Sequence, residues 1–166
     1  MSTKFLVGTS AKALRAMFGV ALLLGGLNAV SGGSAQAADG MIIKQSRHSV
    51  QTTIDRLEAI PKDKGLTIFA KIDHGAGAAK TAQSLRPTMV LIFGNPRLGT
   101  PLMQTQQTIA IDLPQKALAY EAENGDVFLA YNEPKYLSSR HGIEDRAEVF
   151  KKITGALDAF TSAAVK

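Results

Sequence analysis

Apolar and polar positions along the chain change period several times, and each change predicts an element. Met41-Ile42-Ile43 opens a strand over residues 41–48, after which Val50, Ile54, Leu57 and Ile60 recur at helical spacing. Ser49, directly before that run, is placed to cap the helix, and Pro61 and Gly65 end it, with residues 62–65 as the connection. Residues 66–72 then read as a strand that packs Leu66, Ile68 and Phe69 inward. Past Asp73-His74-Gly75, the alanine-rich residues 76–85 favour a helix, which Pro87 stops. Met89-Val90-Leu91-Ile92-Phe93 is an unbroken apolar run, the pattern of a central strand covered on both faces. Gly94-Asn95-Pro96 turns the chain out of it.

Thr100-Pro101 sets an N-cap before a proline at the first helical position, so a helix is predicted to begin near Pro101. It leads through a glutamine-rich stretch to an apolar segment, residues 109–113. Residues 116–123 and 126–132 alternate as strands around Asn124-Gly125, the dipeptide favoured by a two-residue type I′ hairpin. A proline-interrupted stretch, residues 133–142, precedes an amphipathic helix over 143–165 with Val149, Ile153, Leu157 and Phe160 on one face. The order is β-α-β-α-β-α-β-β-α, which predicts an α/β (α+β) fold, a two-layer sandwich built on a mixed sheet.

The amino-terminal segment changes the meaning of the charge. Lys4, Lys12 and Arg15 precede an apolar stretch, residues 16–27, that is shorter than the roughly 20 residues of a membrane span. Ala35-Gln36-Ala37 then has the small-x-small form that signal peptidase accepts, which predicts a signal peptide over 1–37 and one domain over 38–166 in a periplasmic or secreted protein. Of the 19 Lys and Arg, three fall in that leader, so the domain carries 16 against 14 Asp and Glu and stands near +2 instead of +5. Its charges are interspersed. No basic stripe for nucleic acid is present, and no membrane association is expected after cleavage. With no cysteine, disulfides, thiolate metal sites and cysteine nucleophiles are excluded, as is a lipoprotein anchor.

Several separated blocks resemble one family. Ile92-Phe93-Gly94-Asn95-Pro96, Gly99-Thr100-Pro101-Leu102-Met103, Leu129-Ala130-Tyr131-Asn132 and Arg140-His141-Gly142, in this order and spacing, are similar to the family known as domain of unknown function 302. The resemblance covers nearly all of the predicted domain. It implies a compact α/β domain that dimerises, with no established substrate or cofactor.

Read for chemistry, the turn after the central strand predicts a site. A helix beginning just beyond the carboxyl end of a strand presents free amides and a positive dipole end, which favour a small anion. Asn95, Arg97 and Thr100 would add donors there. Asp73-His74 ends the preceding strand and, if the two strands are neighbours, joins that edge, with His141 as the only other candidate partner and Tyr131 as a wall. The same residues serve turns, caps and packing in any protein. No metal-ligand spacing and no cofactor motif occurs, and no G-x-S-x-G, H-E-x-x-H or GxGxxG pattern is present. The expectation is a non-enzymatic binding or accessory module, a homodimer with a small anionic ligand. Two rivals are an enzyme with His74 as general base, assisted by Asp73 or His141, and a structural interaction module.

Overall fold

A computed structural model describes residues 40–166; the signal peptide predicted over 1–37 lies outside the described residues. The elements are β1 (Met41–Ser46), α1 (Val50–Asp63), β2 (Thr67–Asp73), α2 (His74–Ala79), β3 (Thr88–Gly94), α3 (Pro96–Thr105), a 3₁₀ turn (Gln107–Ile111), β4 (Gln115–Glu121), β5 (Val127–Asn132), α4 (Pro134–Arg140) and α5 (Ala147–Ala164). α1 forms where its spacing predicts. Ser49 Oγ accepts from the Thr52 amide, and Val50, Ile54 and Leu57 point into the core. Burying each of these side chains is worth about 1.5–3 kcal/mol.

The predicted two-layer α/β sandwich is what forms, but its sheet is antiparallel throughout, not mixed. The strands lie in the order β1-β5-β4-β3-β2, and each neighbouring pair is antiparallel. The alternating β-α-β order suggested parallel crossovers. Instead α1 carries the chain from one edge strand, β1, to the other, β2, which never pair. The six-residue α2 only serves the return from β2 to its antiparallel neighbour β3.

β4, not β3, is therefore central, and β3 is buried on one face only. Its buried residues Met89, Leu91 and Phe93 alternate with half-buried Val90 and Ile92. The buried set joins Ala117 and Ala119 of β4, Leu129 and Tyr131 of β5, Leu57 of α1 and Ile153, Leu157 and Phe160 of α5 in one core. On α5 the inward stripe starts at Phe150, while Val149 is only partly buried.

Three local expectations change for identifiable reasons. The β4–β5 connection is a three-residue loop. Gly125 N–H bonds Ala122 O at 3.1 Å and Ala122 N–H bonds Asp126 O at 2.8 Å. Gly125 alone in this loop has a positive φ, +85°. That is a type I turn closed by a glycine bulge, whereas type I′ requires positive φ at both central residues. In β2 the register jumps from Ile68↔Phe93 to Ala70↔Ile92, leaving Phe69 as a bulged residue that is 53% exposed, not packed inward. Finally, α3 starts at Pro96 with Asn95 as its cap, so Thr100 and Pro101 lie inside the helix.

Candidate functional site

The antiparallel register separates the residues that the sequence reading grouped. Asp73 pairs with Met89 at the start of β3, whereas Asn95 follows Gly94 at its end. Five strand residues, about 17 Å, lie between the two positions. Asp73 Oδ1 accepts the Ala76 N–H at 2.8 Å as the N-cap of α2, and His74 is an exposed first residue of that helix. Neither reaches the Asn95 turn.

The start of α3 also lacks the free amides an anion needs. Pro96 has no N–H. The Arg97 amide donates to Asn95 Oδ1 at 2.9 Å, and the Leu98 and Gly99 amides donate to Asn95 O at 2.9 and 3.0 Å. All the donors of the first turn are thus consumed by one residue, and the expected anion site is not built.

What the Asn95 end of the sheet does hold is a cavity of about 290 Å³. Its floor is hydrocarbon from three directions: Phe93 at the end of β3, Leu98 and Met103 of α3, and Ile153, Leu157 and Phe160 of α5. Phe93 is only 1% exposed. Leu66, Ala110, Leu113 and Pro114 close the sides, and Phe69 stands at the rim because the β2 bulge turns it outward. The polar side chains on the lining are Asn95, Thr100 and Gln115, and no charged residue or histidine contributes to it. Small residues make the space. A Cβ on Gly99 would meet Leu113 Cδ1 at 3.7 Å and Met103 Cε at 3.9 Å, and one on Gly94 would meet Pro114 Cβ at 3.3 Å. Of the seven predicted site residues, Asn95 and Thr100 line this cavity; the sequence reading missed its apolar walls.

The remaining three lie elsewhere. Arg97 is exposed on the first turn of α3 and does not line the cavity. Tyr131 is a core residue of β5 rather than a pocket wall, and burial pushes its phenol up from the ordinary tyrosine value. His141 belongs to a separate cluster. α4 ends in a Schellman turn, with the Ile143 N–H on Ser138 O and the Gly142 N–H on Ser139 O, and Gly142 has φ +61°. That turn fixes His141 against the 3₁₀ segment, where Nε2 lies 2.7 Å from Asp112 Oδ2 and Nδ1 lies 3.2 Å from Thr108 Oγ1. The imidazole and carboxylate are 7% and 12% exposed, and Arg140 Nε stands 3.6 Å from the same oxygen. With the proton on Nε2, the ring donates to Asp112 and accepts from Thr108. None of these four lines the cavity; together they clasp the end of α4 to the segment that supplies Ala110 and leads to Leu113. Among the described residues, no group of three His, Cys, Asp or Glu is arranged to hold a metal.

Three comparisons bear on this arrangement. The crystal structure of an uncharacterised conserved DUF302 protein from Bacillus stearothermophilus superposes with a TM-score of 0.61, covering 77% of this chain and 97% of that one at 19% identity, a likeness of fold alone. Proteins named fluoride-specific ion channel FluC 1, from Brucella suis biovar 1 (strain 1330) and Brucella abortus biovar 1 (strain 9-941), are 44% identical over 118 residues, 70% of this chain. The chain spans less than half the length of these curated relatives, 46% and 44%. Among the described residues, no helix is long and apolar enough to cross a membrane. The model of the domain of unknown function DUF302 matches residues 42–160, nearly the whole described fold and every wall of the cavity, and the chain belongs to that family.

Proposed function

We propose that this domain is a non-enzymatic binding module that takes a small apolar molecule into the cavity between α3, α5 and the end of β3. The observation that carries the reading is the lining: buried Phe93, Ile153, Leu157 and Phe160 form its floor, with polar groups confined to Asn95, Thr100 and Gln115. Ligand sites are largely apolar hollows with a few placed polar groups, at volumes from about 300 Å³ upward. An anion, the first expectation from the sequence, finds there neither a cationic side chain nor a free backbone amide in the first turn of α3. An enzyme reading would need an acid or base facing the hollow, and the residues that line it supply none.

The test is titration with N-phenyl-1-naphthylamine, an uncharged fluorophore that brightens in apolar surroundings. The expected result is saturable one-to-one enhancement that is abolished by Ala156→Trp, which fills the cavity from α5. Enhancement that is absent, or that persists in the filled variant, would refute the reading.

A second observation supports self-association. The sheet face opposite the helices carries half-buried Ile43, Val90, Ile92, Leu118 and Tyr120, as the register and alternation place them, around Phe128, which is already buried in the single chain. A face of about 24 by 20 Å buries nearly the roughly 1,000 Å² of a specific interface when two copies meet. We read it as a homodimer contact. Sedimentation of the protein and of Leu118→Glu should show a dimer and a monomer; two monomers would refute it.

The leader-like residues 1–37 support export to the periplasm or beyond. The name of the Brucella relatives supports an accessory role, since in those polypeptides a segment like this one belongs to a protein named as an ion channel. Their activity is not carried over.

A further inference from the structure

We infer that the molecule held in the cavity is an uncharged single-chain amphiphile of about ten to twelve carbons, bound tail-down with a hydrogen-bond-accepting head at the mouth. The inference rests on the binding reading above and adds the chemistry of the ligand. Size sets the carbon number. The cavity measures about 290 Å³, roughly twice the 150 Å³ that holds a six-carbon benzene in a protein interior.

Polarity sets the direction. Phe93, Ile153, Leu157 and Phe160 at the floor are all buried, whereas Thr100 is exposed and Asn95 and Gln115 are half-buried. An apolar tail therefore has somewhere to leave water only at the floor. The mouth groups offer donors. Asn95 Oδ1 is committed to the Arg97 N–H at 2.9 Å, which fixes the amide so that its NH₂ is the unspent end. Among the described residues, neither the Thr100 hydroxyl nor the Gln115 amide has a hydrogen-bond partner inside the protein. A hydroxyl, ester or amide head accepts from such groups.

Charge sets the last requirement. No Lys, Arg, His, Asp or Glu lines the cavity, so an ionised head drawn against these walls loses hydration with no opposite charge to replace it. Phe69, turned out by the β2 bulge, covers the chain where it enters.

The experiment is isothermal titration calorimetry of the full chain with 1-decanol, sodium decanoate and decylammonium chloride at pH 8. Decanol should bind about tenfold tighter than either ion, a difference of about 1.4 kcal/mol. Thr100→Val, an isosteric change at an exposed position, should weaken decanol about fivefold, the loss of one hydrogen bond near 1 kcal/mol, while leaving N-phenyl-1-naphthylamine unaffected. Decanoate binding as tightly as decanol would overturn the neutral-head assignment and leave the binding module standing. Decanol insensitive to Thr100→Val would overturn the tail-down placement. If none of the three binds while N-phenyl-1-naphthylamine does, the amphiphile assignment is overturned and the binding module stands; if the fluorophore also fails to bind, both fall.

Discussion

Replacing Gly99 by alanine pulls stability and ligand capacity in opposite directions. Gly99 is the fourth residue of α3 and has ordinary helical backbone, without positive φ. The added methyl would sit 3.7 Å from Leu113 Cδ1 and 3.9 Å from Met103 Cε, ordinary van der Waals distances at which nothing has to move. Alanine restricts the unfolded chain and suits the helix, so the free protein should gain about 0.5–1 kcal/mol. For a domain of this size that is a rise in melting temperature of about 2–5 °C. Leu113 and Met103 are both cavity walls, so the same methyl occupies ligand space. Displacing one methylene of a bound chain costs about 0.8 kcal/mol, roughly a fourfold loss of affinity. Differential scanning calorimetry of the free protein and calorimetric titration with decanol measure the two halves. A melting temperature that falls would mean that the methyl clashes and the wall is closed. A rise with unchanged affinity would place the ligand somewhere other than beside α3.

Three further outcomes follow from the interactions around the core. Thr53 is fully buried, donates to Ser49 O at 2.8 Å and pairs with Ser46 Oγ at 2.7 Å; Thr53→Val keeps the shape and should cost about 1–2 kcal/mol, seen as a lower urea midpoint at unchanged slope. His141→Leu leaves the Asp112 carboxylate with Arg140 at 3.6 Å and without the imidazole, a loss of about 1–3 kcal/mol, and limited proteolysis should then cut the 107–113 segment faster than in the parent. Glu58 is held below its ordinary 4.5 by hydrogen bonds from Lys62 and then Lys71, and Asp55 below its ordinary 3.8 by Gln51 and then Lys71. Lowered carboxylate pKa values stabilise the fold above the ordinary values, and that contribution is lost as pH falls through the lowered ones. Lys71→Met should therefore melt slightly lower than the parent at pH 7, by no more than the ~1 kcal/mol of a surface network, and the gap should narrow on acidification below about 4.5; a gap constant down to pH 3 would show that the network contributes nothing.

The elements that the sequence predicts correctly are those decided within one turn of chain. Ser49 caps α1 because its hydroxyl and the Thr52 amide are three residues apart, and the glycine in Asn124-Gly125 permits a tight reversal wherever the strands run. Even there the pattern leaves the loop type open, since the choice between two and three loop residues depends on which pair, Glu121↔Val127, closes the ladder. Strand order is a different kind of fact. Nothing local to Asp73 or Asn95 states that β2 and β3 are antiparallel, and that relation alone moves His74 to the far end of the sheet. The cavity is harder still to read, because it is made by side chains that are missing. Gly94, Gly99, Ala110 and Ala156 come from four elements or their borders, and their shortness becomes a hollow only when α3 and α5 converge over Phe93. Phe69, whose pattern pointed inward, is turned out by a bulge that depends on register. Gly94 and Gly99 carry the signal that sequence reading leaves unused. The helix tolerates alanine at Gly99, so glycine there argues for space kept open beside Leu113 and Met103, whereas at Gly94, the last residue of β3, a Cβ would press on Pro114 Cβ at 3.3 Å and glycine permits that close approach.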